Sequence, residues 1–267
     1  MANRKFALIT GSASGMGRIY AKKLAEKGYG LLLVDINGPG LEETAALVRE
    51  ATPDAEVVTF TTDLTTPDAA ANVHKFASEQ GLEVEILINN AGMLFLSTIC
   101  DTPEAKLQKI MALHCITPLL LCHEFVPEMT ARGNGYVLNI SSMTSGMAWP
   151  VVGMYGNTKS FVKGYSKELR MECRGTGVSV TVASFGAVDT PLFGFDEHQR
   201  KAMTSTGVMI SPEKAVDKAL GAMFKRRKKI TPGFINKLST VGAPLLSDRF
   251  ICSMCRRYAS VLEGMQR

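Results

Sequence analysis

The sequence predicts a doubly wound α/β fold: a single Rossmann-type domain over residues 1–267, with a parallel sheet of about seven strands and helices on both faces. Three observations lead there. Short, β-rich apolar runs recur along the chain and are continuous, not alternating, as in strands covered on both faces. Segments with helical apolar spacing lie between them, and such alternation implies a parallel sheet with right-handed crossovers. No Pro/Gly/Ser-rich linker, low-complexity tract or internal repeat interrupts the pattern.

In chain order, the first strand is Phe6–Thr10. Its apolar part is only about five residues, far short of a signal-peptide core, and it runs directly into a glycine-rich turn. A helix over Gly15–Lys27 is stopped by Gly28. Strand Gly30–Asp35, helix Leu41–Glu50 behind Pro39, and strand Val57–Thr61 follow. Helix Asp68–Glu79 ends at Gly81 and leads to strand Ile86–Asn89. A long helix runs from about Thr102 to Ala131, with Glu104 near its start. Strand Tyr136–Ser141, helix Tyr155–Arg174 (closed by Gly175 or Gly177) and strand Val178–Ser184 complete the regular part. Ala215, Ala219, Leu220 and Met223 mark a further helix.

Composition is that of a soluble globular protein, 46% hydrophobic and 21% charged. The net charge of +5 is spread out except at Lys225-Arg226-Arg227-Lys228-Lys229. That run reads as a solvated helix end whose charges complement the helix dipole, so no nucleic-acid partner is expected. Six cysteines lack framework spacing, and the lone C-x-x-C of Cys252 and Cys255 has neither a second pair nor a nearby histidine. No metal is expected, and reduced thiols suit a cytoplasmic protein. No stretch approaches the roughly 18 apolar residues of a membrane span.

In open α/β sheets ligands bind outside the carboxyl ends of the strands. The first strand ends in Thr10-Gly11-Ser12-Ala13-Ser14-Gly15-Met16-Gly17, where glycines allow backbone N–H groups to approach a pyrophosphate at a helix N-terminus. The spacing is G-x-x-x-G-x-G, unlike the more common G-x-G-x-x-G. The second strand ends in Asp35, placed to accept hydrogen bonds from ribose hydroxyls and to repel a 2′-phosphate. Ile36 and Asn37 follow it, with no Arg or Lys beside them, which favours NAD(H) over NADP(H). Tyr155 and Lys159 share one helix face. An ammonium there favours the phenolate of a tyrosine whose ordinary pKa is about 10. Ser142, at the end of a strand, can hydrogen-bond the same substrate oxygen.

These residues together resemble the short-chain dehydrogenase/reductase family, NAD-type and hydroxysteroid-dehydrogenase-like, across nearly the whole chain. Thr10, Gly11, Gly15 and Gly17 match its cofactor loop, Asp63-Leu64 its adenine-binding acid, and Asn89-Asn90-Ala91-Gly92 its N-N-A-G segment. Asn139-Ile140-Ser141-Ser142 and Tyr155-Gly156-Asn157-Thr158-Lys159 match the catalytic strand and helix. Gly186-Ala187-Val188-Asp189-Thr190 resembles the loop that binds the nicotinamide carboxamide. The resemblance implies that Tyr155 is the general acid/base, that Lys159 binds the nicotinamide ribose and depresses the Tyr155 pKa, and that Ser142 polarises the carbonyl. Two positions depart from the family. His114 stands where an asparagine usually holds a relay water, and its imidazole is expected either to replace that relay or simply to pack. Phe185 replaces the proline that usually begins the nicotinamide loop.

Substrate choice is expected from irregular segments, including a substrate-binding stretch over 191–210 with Leu192 and Phe193, together with Phe95, Met147 and Trp149. This apolar, methionine-rich set suits a hydroxysteroid or another lipophilic secondary alcohol or ketone. Two alternatives stay open: a reductase of sugars or 3-oxoacyl thioesters, and a non-catalytic nucleotide-binding regulator. Residues 232–267 form a C-terminal extension, and family resemblance implies a homodimer or homotetramer.

Overall fold

Alternate residues of a strand face opposite sides of its sheet, and the first strand of this protein is apolar on both. In β1 (Lys5–Thr10), Ala7 and Ile9 enter one core, and Phe6 and Leu8 the other. The same division recurs in β2 (Gly30–Asp35), with Leu31 and Leu33 opposite Leu32 and Val34. The computed structural model describes residues 5–95, 97–146, 150–152, 154–190, 209–233 and 246–253. The remaining strands are β3 (Val57–Thr61), β4 (Glu83–Asn89), β5 (Gly135–Ser142), β6 (Val178–Phe185), β7 (Ala187–Val188), β8 (Met209–Ile210) and β9 (Lys229–Ile230). Seven of them form one parallel sheet in the order β3-β2-β1-β4-β5-β6-β9, while β7 and β8 pair separately.

Helices α1 (Gly15–Ala25) and α2 (Gly38–Ala51) cover the first face through Tyr20, Leu24, Leu41 and Val48. The second face is covered by α3 (Ala69–Glu79), by the long segment from α4 (Glu104–Met111) to α5 (Thr117–Ala131), and by α6 (Tyr155–Glu172). The helix α7 (Pro212–Phe224) returns to the first face with Val216, Leu220 and Met223. Strand order reverses between β1 and β4, which opens a cleft at their carboxyl ends.

The expected elements are present, with informative differences at their ends. Helix α2 begins at Gly38, before the expected Leu41, because Asn37 Oδ1 accepts the Gly40 N–H and Pro39 fits the first turn. The expected continuous helix from Thr102 is broken by a π turn over Ala112–Ile116, ahead of Pro118 in the first turn of α5. Glu104–Ala131 is long and apolar enough to cross a membrane by composition alone, contrary to the reading from apolar runs. Half of its most apolar window is buried inside the fold, as in a core helix.

The basic run is not simply a solvated helix end. Helix α7 stops at Phe224, Arg226 takes a left-handed φ of 52°, and Lys229 enters β9. The Arg226 guanidinium donates to Gly177 O (2.6 Å) and Asn134 Oδ1 (2.9 Å) and lies 4.8 Å from the centre of the Tyr136 ring. Backbone pairing of Val182 and Ala183 with Lys229 and Ile230 draws the run to the sheet edge.

A buried amide network ties β4, β5 and α6 together. Asn89 Nδ2 donates to Asn139 Oδ1 (2.8 Å), and Asn139 Nδ2 donates to Ser166 Oγ (2.8 Å). Asn139 is sealed from solvent, so Asn139→Ala leaves the Asn89 amide and the Ser166 hydroxyl short of partners. The expected loss is about 2–3 kcal/mol, read as a lower urea midpoint at unchanged m-value.

Candidate active site

The loop between β1 and α1 is built by backbone-on-backbone packing. Gly11 has φ +68°, and a Cβ there would lie 2.8 Å from Ala91 Cα; at Gly17 it would lie 2.0 Å from Gly11 O. Ser14, extended at φ −158°, enters α1, so the amides of its first turn point toward the cleft without intrahelical acceptors. Asp35, at the end of β2, accepts from Ala13 N (3.1 Å) and Asn37 N (3.0 Å). Its carboxylate therefore braces the loop while facing the cleft, which it lines with Gly11, Ser14, Gly15 and Met16.

Thr10 and Gly17, expected among the cofactor-binding residues, do not line the cleft and support the loop from beneath. Thr10 is buried, and its hydroxyl accepts from Asn90 N and Ala91 N (both 3.0 Å) and donates to Ile88 O (3.3 Å). It joins the ends of β1 and β4. Asn90 returns the contact through Nδ2 to Thr10 O (2.9 Å) and Gly11 O (3.1 Å), and Asn90, Ala91 and Gly92 all line the cleft. Gly17 is buried beneath the loop, where its value is the close approach to Gly11.

A side recess of about 250 Å³ holds Ile36, Asp63 and Leu64. Asp63 Oδ1 accepts from Thr65 N (2.8 Å) and Thr65 Oγ1 (2.7 Å). These bonds hold its carboxyl below the usual carboxylate range, with the Lys109 charge adding to them. Ile36 is 65% exposed and offers an apolar surface at the recess mouth. Lys109 and Leu113 also line the recess, a role the sequence reading missed. Their i, i+4 spacing puts them on one helix face and could have flagged them.

The main cleft, about 370 Å³, carries Tyr155 and Lys159 on its wall beside Gly186, Val188 and Thr190. Tyr155 is the first residue of α6, where the helix dipole favours an anion. Lys159, one turn on, is buried and donates to Ile140 O (3.1 Å), while Ser141 Oγ donates to Lys159 O (2.9 Å). Ser142, the last residue of β5, accepts from Thr144 N (3.2 Å) and Thr144 Oγ1 (3.0 Å). Burial pushes the Tyr155 phenol up to about 12, against the expected depression, although its hydrogen bond with Ser142 pulls the other way. Burial also brings the Lys159 ammonium down to about 8. The Lys159 ammonium lies 5.6 Å from the centre of the Tyr155 ring, and the cost of desolvating the phenolate dominates at Tyr155.

The residues present fit a dinucleotide. First-turn amides face one end of the cleft, the Asp35 carboxylate lines it where a ribose would lie, and the glycine contacts leave no room for a Cβ. Phe185, the departure in the nicotinamide loop, is 3% exposed and packs into the core while lining the cleft.

His114 is buried within the π turn. Its Nε2 accepts from Met93 N (2.9 Å), and its Nδ1 lies 2.9 Å from Thr158 Oγ1. Of the expected substrate residues, Phe95 is buried with the Lys106 ammonium 4.5 Å from its ring centre, and it does not line the main cleft. Met147, Trp149, Leu192 and Phe193 lie outside the described residues, as do 191–208 of the substrate-binding segment. In the C-terminal extension, Ile251 is buried while Leu246 and Phe250 are exposed.

The family model for short chain dehydrogenases matches residues 5–201. Estradiol 17-beta-dehydrogenase 11 of Homo sapiens is 30% identical over 258 residues, covering 95% of this chain and 83% of that protein. The 7beta-hydroxysteroid dehydrogenase of Collinsella aerofaciens is 29% identical, covering 83% of each. Among solved structures, a 7beta-hydroxysteroid dehydrogenase superposes with a TM-score of 0.80 at 29% identity, covering 89% of this chain and 91% of that one. A short-chain dehydrogenase from Sphingobium yanoikuyae, in complex with NADPH, has a TM-score of 0.76 at 26% identity, covering 92% and 96%. The chain that brings the glycine loop, Tyr155 and Lys159 together in this cleft, with Ser142 at the end of β5, thus has relatives over most of its length, and it belongs to the short-chain dehydrogenase family of oxidoreductases.

Proposed function

We propose that this protein interconverts a secondary alcohol and a ketone with NAD(H), on a hydroxysteroid or another lipophilic substrate. One observation carries the proposal: Tyr155 and Lys159 share a cleft wall with the glycine loop and Asp35, and Ser142 ends the adjacent strand. The similarity to hydroxysteroid dehydrogenases supports the substrate class. When bound, the nicotinamide supplies or accepts the hydride. The residues of this chain manage the proton. In reduction the Tyr155 phenol donates to the substrate oxygen; in oxidation its phenolate takes the proton back. Ser142 donates a hydrogen bond to the same oxygen and polarises it. Lys159, buried and tied to Ile140 O, anchors the base of the cleft and holds positive charge near the phenol below about pH 8. Exposed Ile116 and Leu119 near the start of α5, and Phe161 on α6, support a homodimer or homotetramer.

The test is absorbance at the reduced-nicotinamide band with a panel of steroid and simple alcohols, each with NAD and with NADP. Turnover of a steroid alcohol with NAD is the expected result; preference for NADP or silence across the panel would overturn it. Asp35 supports the cofactor choice, because its carboxylate lines the cleft, where it would bond the ribose hydroxyls and repel a 2′-phosphate. Losing its hydrogen bonds to the ribose is worth about 2 kcal/mol. Asp35→Ser therefore weakens NADH binding about thirtyfold and narrows the gap to NADPH, as read by fluorescence titration of both cofactors.

A further inference from the structure

The hydrogen bonds of His114 settle its tautomer. A backbone N–H can only donate, so the nitrogen facing Met93 N, Nε2, carries a lone pair. A neutral imidazole then has its proton on Nδ1, which donates to Thr158 Oγ1, and that hydroxyl donates to Tyr155 O (2.8 Å). The chain of donors runs from the Met93 amide to the backbone carbonyl of Tyr155. It begins and ends on groups that do not titrate, so it cannot conduct a proton to Lys159.

What it does is mechanical. The ring spans the turn after β4 and the first turn of α6, and it meets the Tyr155 ring edge-on at 5.6 Å and 75°. The fit is close on the other side too: a Cβ on Gly92 would lie 3.2 Å from Nε2. Lys159, Tyr155 and Cys115 are the titratable groups facing this region, and burial with the Lys159 charge holds the imidazole neutral.

We propose that His114 is a positioning residue, a neutral Nδ1–H strut that fixes the Tyr155 phenol relative to the Gly92–Met93 side of the cleft. The proposal rests on the reading of Tyr155 as the acid/base. Its first test does not use activity. Long-range proton–nitrogen NMR of the ¹⁵N-labelled protein, assigned against His114→Gln, should show the Nδ1–H form unchanged from about pH 5.5 to about pH 9, across the ordinary histidine range. An Nε2–H tautomer, or titration near the ordinary value, would overturn the strut whether or not a substrate is known.

The second test is kinetic. His114→Ala should lower kcat by about 10- to 100-fold through misplacement of Tyr155, with NADH affinity and the limbs of the pH–rate profile unmoved. His114→Gln, whose amide can both accept and donate, should recover most of that loss. A shifted limb would assign the relay instead, and unchanged kcat would reduce His114 to packing; either overturns the proposal. If the alanine variant does not fold, the glutamine variant and the NMR tautomer still decide. Failure of the wild type to turn over any alcohol would count against the Tyr155 reading, leaving the tautomer result to judge the strut.

Discussion

Tyr155→Phe removes about a thousandfold or more of the turnover while leaving NADH binding intact. The phenylalanine keeps the ring that packs edge-on against His114 and loses only the hydroxyl, so the fold has no reason to respond. In the proposed reaction the phenol is the proton donor or acceptor, and it lines the cleft at the N-terminus of α6, hydrogen-bonded with Ser142. Steady-state kinetics alongside NADH fluorescence titration separates the two effects. Residual turnover close to wild type would move the proton to another group. The pH dependence carries a sign as well. Burial has brought the Lys159 ammonium down to about 8, so its charge is full below that pH and lost above it. Ketone reduction by the wild type should therefore decline as pH rises through about 8.

Gly17→Ala is the second large effect, and it acts through geometry instead of chemistry. The added methyl would sit 2.0 Å from Gly11 O and 2.8 Å from Ser12 Cα, both backbone, so no side chain can swing away to make room. The glycine loop must lift from α1, and the first-turn amides lose their alignment toward the cleft. NADH affinity should fall about 100-fold, in line with the loss of two charge-assisted hydrogen bonds. Thermal stability should fall with it. Gly221→Ala is the control: this exposed helical glycine has nothing within 4 Å of its virtual Cβ. There alanine should stabilise by about 0.5–1 kcal/mol through the unfolded chain. Equal NADH affinity in Gly17→Ala and wild type would remove the glycine loop from the binding site.

Much of this arrangement was legible in the sequence because it depends on local chemistry. Strands buried on both faces need unbroken apolar runs, and Gly30–Asp35 and Val57–Thr61 appear with the expected boundaries. The cleft-facing Asp35, Tyr155 and Lys159 were visible because each sits at the end of a strand or on the first turns of a helix. What was hidden depends on partners distant in sequence. The Thr10 hydroxyl is consumed by amides of Asn90 and Ala91, which no property of Thr10 announces. Strand β9 is two residues long within a charged run, held by backbone pairing that leaves no apolar signature. The Tyr155 pKa turns on burial, and i, i+4 spacing to a lysine says nothing of how dry the pair is.

The π turn at Ala112–Ile116 has a consequence for how this helix tolerates change in length. An α-helix advances about 100° per residue, so one residue gained or lost turns everything beyond it by that angle. Before the turn, Lys109 lines the side recess; beyond it, Leu121, Phe125 and Met129 enter the core. The π turn absorbs one extra residue, because five residues at its wider pitch turn the chain about as far as four α-helical ones, and so keeps the two flanks in phase. Deleting one residue between Ala112 and Ile116 should therefore restore an ordinary helix with both flanks still in phase, and what would be lost is the placement of His114 within the turn. Insertions that are harmless in a surface loop would here be read as rotation.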